Sequence, residues 1–338
     1  MTDGYRNISS LSERYRPYFR IGAAVNAKSL NTHRDLLVTH FNSVTAENEM
    51  KWEEIHPEQD RYEFAKADAL VNFAREHGMF VRGHTLVWHN QTPAAVFLDD
   101  LGQTATAAVV ERRLEEHVAT VLGRYHNDIG CWDVVNEAVV DAGTGFLRDS
   151  RWLQALGDDY IAKAFRIAHQ AAPDALLFYN DYNETKPDKS ERIYKLVAGL
   201  LDQGVPIHGI GMQGHWMLDD PALDEIERAI DRYASLGVRL HITELDVSVY
   251  GNVHGTGGQS QEVLPYDDEL AERLAERYRS LFSLLRARKD VIESVTFWGV
   301  ADDDTWRDNF PVRGRKDWPL LFDVNHEPKQ AFWSVVEF

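Results

Sequence analysis

The chain has 338 residues, of which 36 are Lys or Arg and 54 are Asp or Glu, for a formal net charge of −18 at pH 7 with histidine neutral. A binder of nucleic acid or of an anionic membrane needs a positive surface to displace counterions, so the charge argues against both partners. Hydrophobic residues at 44% and charged residues at 27% give a chain that builds an ordinary globular core, which excludes intrinsic disorder.

The segment Met1 to Ile8 carries no apolar run of signal-peptide length, and no stretch reaches the roughly 20 apolar residues of a membrane span, so the protein reads as cytoplasmic. Strand-like runs follow at Ile21 to Val25 and Ser43 to Ala46. Phe64, Ala67, Leu70, Val71 and Ala74 then share one helical face ahead of the third run, Phe80 to Val87. The fourth, Cys131 to Val135, opens on the only cysteine, which can form neither an internal disulfide nor a Cys-based zinc site. Leu176 to Tyr179 is the fifth, and Asp188 with Glu191 fits a capping box for the helix after it. The sixth is Ile207 to Met212. Beyond it, Asp220-Pro221 reads as an N-cap and first helical position for a helix with Leu223, Ile226, Ile230 and Tyr233 on one face. Arg239 to Thr243 is the seventh, followed by a glycine-rich stretch from Gly251 to Gly258 that reads as a mobile loop. Leu270, Leu274, Leu281 and Leu285 mark the next helix, and Ser294 to Phe297 is the eighth strand. The run Asp302-Asp303-Asp304 with Arg307, Arg313 and Arg315 reads as a solvated, internally paired loop.

Eight strands alternating with helices predict parallel pairing with crossover helices, and eight is the number that closes a (β/α)8 TIM barrel. A doubly wound open sheet alternates in the same way. No GxGxxG or Walker-type glycine pattern follows an early strand, however, so the nucleotide-binding version of that fold has no support.

A barrel of this kind carries its active site at the C-terminal ends of the strands. Polar residues collect there: Thr45 to Trp52, Gly83 to Gln91, Trp132 to Ala138, Asn180 to Asn183, Gly211 to Trp216, Ile242 to Val247, and Phe297 to Gly299 leading to Trp306. Glu137 and Glu244 each close an apolar strand, three strands apart around the ring. Cleavage of a glycosidic bond needs such an opposed pair, one carboxyl to protonate the leaving oxygen and one to meet the oxocarbenium-like carbon. Trp88, Trp298, Trp306 and Tyr182 offer flat faces for sugar rings, whereas Trp132, Trp152 and Trp333 read as core packing.

Asn136-Glu137 within Trp-Asp-Val-Val-Asn-Glu-Ala and Glu244 within Ile-Thr-Glu-Leu-Asp-Val resemble the motifs of the glycoside hydrolase family 10 endo-β-1,4-xylanases. The similarity runs in order from about Arg20 to Asp323. It implies a retaining mechanism with the two carboxyl groups about 5 to 5.5 Å apart, Glu244 as nucleophile and Glu137 as acid/base. By the same matching, His215 and Asp246 hold Glu244 in position, and Asn136 meets the sugar 2-hydroxyl. Lys51, His84 and Gln213 bind the same ring, Glu47 and Asn48 bind the next ring toward the non-reducing end, and Trp298 and Trp306 form a lid suited to xylose. Ala46 and Gln330 stand where the family often has proline.

The resemblance implies xylan or xylo-oligosaccharides as substrate, no cofactor, and a monomer sufficient for catalysis. With no linker or Pro/Ser-rich hinge, residues 1–338 are expected to form one catalytic domain without a carbohydrate-binding module. A metal-dependent hydrolase is the competing enzyme class for a chain with 14 histidines, but the strand ends lack paired histidines at ligand spacing, so no metal is expected. A catalytically dead sugar-binding barrel would have no need of the carboxylate pair.

Overall fold

The computed structural model describes residues 9–251 and 261–338. Apart from Gly251, the glycine-rich stretch expected to be a loop lies outside the described residues. Among the described residues nine strands form: β1 Arg20–Val25, β2 Ser43–Ala46, β3 Phe80–Trp88, β4 Cys131–Asn136, β5 Leu176–Asp181, β6 Gly209–Met212, β7 His215–Met217, β8 Arg239–Ser248 and β9 Ile292–Phe297. From β1 to β6 each strand pairs in parallel with the next, β6 pairs with β8, β8 with β9, and β9 returns to β1. These pairings close the eight-stranded barrel that the alternation predicts. The short β7 stands outside the ring and pairs only with the end of β8.

The core is continuous. Leu70, Val71 and Ala74 of the helix Ala65–Glu76, and Leu274, Leu281 and Leu285 of the helix Asp268–Ala287, are buried. A stripe of this width at 3.6-residue spacing is what pins a helix to a sheet. Inside the ring, Trp132 lies so close to β3 that a Cβ on Gly83 would sit 2.2 Å from its Cε3. Only glycine fits there. No helix among the described residues is long and apolar enough to cross a membrane.

Several local expectations are corrected. The helix expected to start at Pro221 spans Leu223–Ala234 with Ala222 as N-cap, and Glu225 reaches back to accept the Ala222 N–H at 2.9 Å. The Asp188/Glu191 box does not form, because the helix already begins at Pro187, with proline at its first position. Glu191 instead pairs with Lys195 and with Arg232, each at 3.3 Å. Trp333 is 38% exposed and is not a core residue. Its helix, Gln330–Val336, turns Ala331, Phe332, Val335 and Val336 inward and leaves Trp333 off that stripe.

Two features of the strands shape the site. The seventh strand does not stop at Thr243; β8 runs on to Ser248. Glu244 and Asp246 are therefore two residues apart in one strand and share a face. Between β6 and β7 the chain breaks at Gln213 and Gly214, where Gly214 has φ of 77° and a Cβ would meet Ile242 Cγ2 at 2.8 Å. That glycine lets the chain step sideways, so that His215 comes into register with Asp246.

Candidate active site

Glu137 follows the last residue of β4 with φ of 58°. A non-glycine residue holds the left-handed region only when its surroundings fix it. Here the Glu137 N–H donates to the Asn180 carbonyl at 2.9 Å, and Arg148 Nε donates to the Glu137 carbonyl at 3.1 Å. The side chain is held as firmly. Gln213 Nε2 donates to its Oε1 at 2.9 Å, and Trp88 Nε1 donates to its Oε2 at 2.8 Å.

Glu244 is buried at 5% exposure. Asn180 Nδ2 donates to its Oε1 at 2.8 Å, and His215 Nε2 lies 3.0 Å from its Oε2. The other nitrogen of that ring, Nδ1, meets Asp246 Oδ2 at 3.0 Å. Asp246 also accepts Trp306 Nε1 at 2.7 Å, and takes Arg307 on Oδ1 through Nε at 3.1 Å and Nη2 at 2.8 Å. A line of hydrogen bonds thus runs from a buried guanidinium through a carboxylate and an imidazole to Glu244. Burial opposes a charge on His215, yet Asp246 and Glu244 outweigh it and raise its pKa to about 9, so the ring is cationic at neutral pH.

The two glutamates are linked through amides. Gln213 and Asn180 each spend one amide hydrogen on a carboxylate, which fixes their orientation. Both Nε2 of Gln213 and Nδ2 of Asn180 also face Asn136 Oδ1, at 3.3 and 2.9 Å. Asn136 Nδ2 then lies 3.3 Å from Glu137 Oε1.

The environments push the two carboxyls in opposite directions. Burial raises the pKa of Glu137, and the charges of Asp181 and Glu244 add to the rise against its hydrogen bonds from Gln213 and Trp88. Burial would raise Glu244 too, but the hydrogen bond from His215, the nearby His84 and the Asn180 amide bring it below the ordinary value. Two carboxyls whose pKa values are driven apart can divide acid and nucleophile roles between them.

Around the pair is a cleft of about 360 Å³. Of the residues expected to bind sugar, Lys51, His84, Trp88, Asn136, Tyr182, Gln213, Trp298 and Trp306 line it, with His215 and both glutamates. Glu47 and Asn48 do not. Asn48 Oδ1 accepts from Lys51 Nζ at 3.0 Å beside the cleft, and Glu47 accepts from Asn26 at 2.8 Å. Trp298 is buried and stands edge-on to His84, with ring centroids 5.4 Å apart. Tyr182 is tied through its hydroxyl to Asp141 at 2.6 Å and to Arg148 at 2.9 Å.

Sequence reasoning missed several members of the site. Asn180 bridges Asn136 and Glu244; it stands in the polar cluster ending β5, and its position was its signal. Asp133 holds His84 Nδ1 at 2.9 Å and is itself gripped by buried Arg82 at 2.7 Å. Phe310 stacks on Trp306 with centroids 5.1 Å apart and lines the cleft. The loop after β9 is not the solvated loop expected. Arg307, Arg315 and Asp302 are buried; Lys329 Nζ lies 2.7 Å from Asp302 and Arg307 clasps Asp246 of β8, so partners distant in the chain take up the charges of Asp302 and Arg307.

Arg307 and Asp246 are fully buried, and removing one partner of a buried ion pair costs about 3–5 kcal/mol. Arg307→Met is therefore expected to lower unfolding free energy by that order in a denaturant titration. A loss within experimental error of zero would contradict the role given to this pair.

Among the described residues, the group of His, Cys, Asp or Glu side chains that converges enough to hold a metal ion is His33, Asp303 and His326. None of them lines the cleft.

A closed (β/α)8 barrel with two opposed carboxyls of divergent acidity, set among amides and indoles at the strand ends, defines a glycoside hydrolase. The chain belongs to glycosyl hydrolase family 10, whose family model matches residues 10–338. It is 54% identical over 329 residues to Endo-1,4-beta-xylanase B of Paenibacillus barcinonensis, covering 97% of this chain and 98% of that relative. Identity to an endo-1,4-beta-xylanase of Geobacillus stearothermophilus is also 54%, over 331 residues and 98% of each chain. The crystal structure of xylanase XynB from Paenibacillus barcinonensis in complex with a conduramine derivative matches with a TM-score of 0.94 at 53% identity, covering 98% of each chain.

Proposed function

We propose that this family 10 enzyme is an endo-β-1,4-xylanase that cleaves internal xylosidic bonds by double displacement, with Glu244 as nucleophile and Glu137 as acid and then base. The opposite pKa shifts of the two carboxyls carry the assignment. Glu244, ionised by His215, His84 and Asn180, attacks the anomeric carbon while Glu137 gives its proton to the departing glycosidic oxygen. With Glu244 esterified, the charge that helped keep Glu137 protonated is gone. Glu137 then takes a proton from water as the water oxygen attacks the anomeric carbon and releases Glu244. Reducing-sugar release from xylan and from short xylo-oligosaccharides tests the reading; folded protein that releases none from either overturns it.

Asn136 is positioned to hydrogen-bond the 2-hydroxyl of the reacting sugar, with Lys51, His84 and Gln213 around the same ring. Glu47 and Asn48 serve the next ring, and Trp88 and Tyr182 supply stacking faces. Trp298 and Trp306 close over the reacting ring and disfavour a hydroxymethyl group, a discrimination by bulk worth about 1–3 kcal/mol. Short xylo-oligosaccharides are the preferred substrates on this account; kcat/KM values from xylotriose to xylohexaose that all fall below that for xylan would refute the preference.

The family match over 10–338 supports reading this sequence as one catalytic domain. The buried, unpaired Cys131 is compatible with the reducing cytoplasm as the place of action; fractionation of the source cells tests that assignment.

Activity should rise with pH as Glu244 ionises and fall as Glu137 loses its proton. Since Glu244 is held below the ordinary carboxylate value and Glu137 above it, kcat/KM should show a plateau between two limbs. His215→Asn removes the cation from Glu244 Oε2, so its acidic limb should move to higher pH in an initial-rate profile. An unmoved limb would mean that His215 does not set the ionisation of Glu244.

A further inference from the structure

We propose that His33, Asp303 and His326 form a zinc site that clips together three loops on the C-terminal face of the barrel. His33 lies after β1, Asp303 after β9, and His326 in the turn before the last helix, where it holds φ of 69°. His33 Nε2 is 2.7 Å from Asp303 Oδ1, and His326 Nε2 is 3.3 Å from the same oxygen. All three ligand atoms lie within 4.8 Å of one another.

The surroundings orient the histidine as a ligand. Thr32 Oγ1 sends its hydrogen to the Lys28 carbonyl at 3.2 Å, so at 2.7 Å from His33 Nδ1 it accepts the ring N–H. Nε2 stands 2.7 Å from Asp303 Oδ1, a distance that two acceptors hold only with a proton or a cation between them, and zinc would take the place of that proton. An imidazole fixed by a hydrogen bond at its far nitrogen is the usual arrangement around a bound metal.

Two imidazole nitrogens and one carboxylate oxygen suit Zn²⁺. Bonds of about 2.0–2.1 Å at tetrahedral angles set donor atoms about 3.3–3.4 Å apart. The His326–Asp303 pair already stands at 3.3 Å and the His33–Asp303 pair at 2.7 Å, and the two imidazole nitrogens lie within 4.8 Å of each other, so small shifts of the rings would complete the set. Asp303 at 28% and His326 at 25% exposure leave one side open, where water supplies the fourth ligand. The neighbouring Asp304 accepts from Asn26 at 3.1 Å, and Asn26 donates to Glu47 at 2.8 Å. An ion here stiffens the support of Glu47 and takes no part in the reaction.

The test is a zinc titration of chelator-stripped full-length protein against a chromophoric competitor, with thermal unfolding followed in ZnCl2 and in MgCl2. Wild type should take up one zinc and gain thermal stability from zinc but not magnesium. His326→Asn, which tolerates the left-handed backbone, should bind at least about tenfold more weakly and lose the zinc-dependent rise in Tm. Asp303→Asn provides a second variant should the first fold poorly. Uptake of no zinc by wild type, or equal affinity in the folded variants, would overturn the site.

Discussion

Glu244→Ala is expected to abolish hydrolysis of xylan, xylo-oligosaccharides and aryl xylosides alike, with kcat reduced on the order of 10⁵–10⁶-fold, the scale on which a covalent nucleophile is lost. The breadth of the loss matters more than its size. A better leaving group helps only the bond that breaks; it cannot replace the oxygen that attacks the anomeric carbon. The variant also leaves cationic His215 facing Asp246 without its second carboxylate, so folding should be checked by circular dichroism. Substantial turnover of an activated aryl xyloside by folded Glu244→Ala would mean that another group attacks.

Glu137→Ala should behave differently. Xylan cleavage should fall by about 10²–10⁴-fold, the usual contribution of general acid–base catalysis. An aryl xyloside with an acidic phenol needs little protonation, so glycosylation of Glu244 should proceed, while attack of water on the intermediate slows for want of a base. Azide requires no base. Its addition should accelerate turnover and yield a β-xylosyl azide, because two inversions retain configuration. An azide product of inverted configuration would show that the two carboxyls have exchanged roles.

The barrel and the position of both glutamates were legible because strand alternation and strand-end polarity are local properties of the sequence. Glu137 and Glu244 each close an apolar run, and the fold turns that pattern into an opposed pair. Arg307 was not legible. Its neighbours Asp308 and Arg313 give it the look of a surface charge, and only the return of the loop after β9 brings it to Asp246, 2.8 Å away. His33 and His326 were invisible as a pair for the same reason, lying at opposite ends of the chain in two loops that Asp303 joins. The true start of the helix at Leu223 was missed because Asp220 and Pro221 carry a capping signal, while the fold lets Ala222 and Glu225 provide the N-terminus.

In the double displacement Glu244 becomes covalently bound to the sugar. Incubation with a 2-deoxy-2-fluoro xyloside bearing a good leaving group slows departure of the intermediate, since fluorine disfavours the oxocarbenium-like transition state in both steps. Proteolysis and tandem mass spectrometry should then find one fluoroxylosyl group on the peptide containing Leu240 to Val247, attached at Glu244. A label on Glu137, or no label from a probe that is nonetheless turned over to a product of inverted configuration, would rule out Glu244 as the nucleophile.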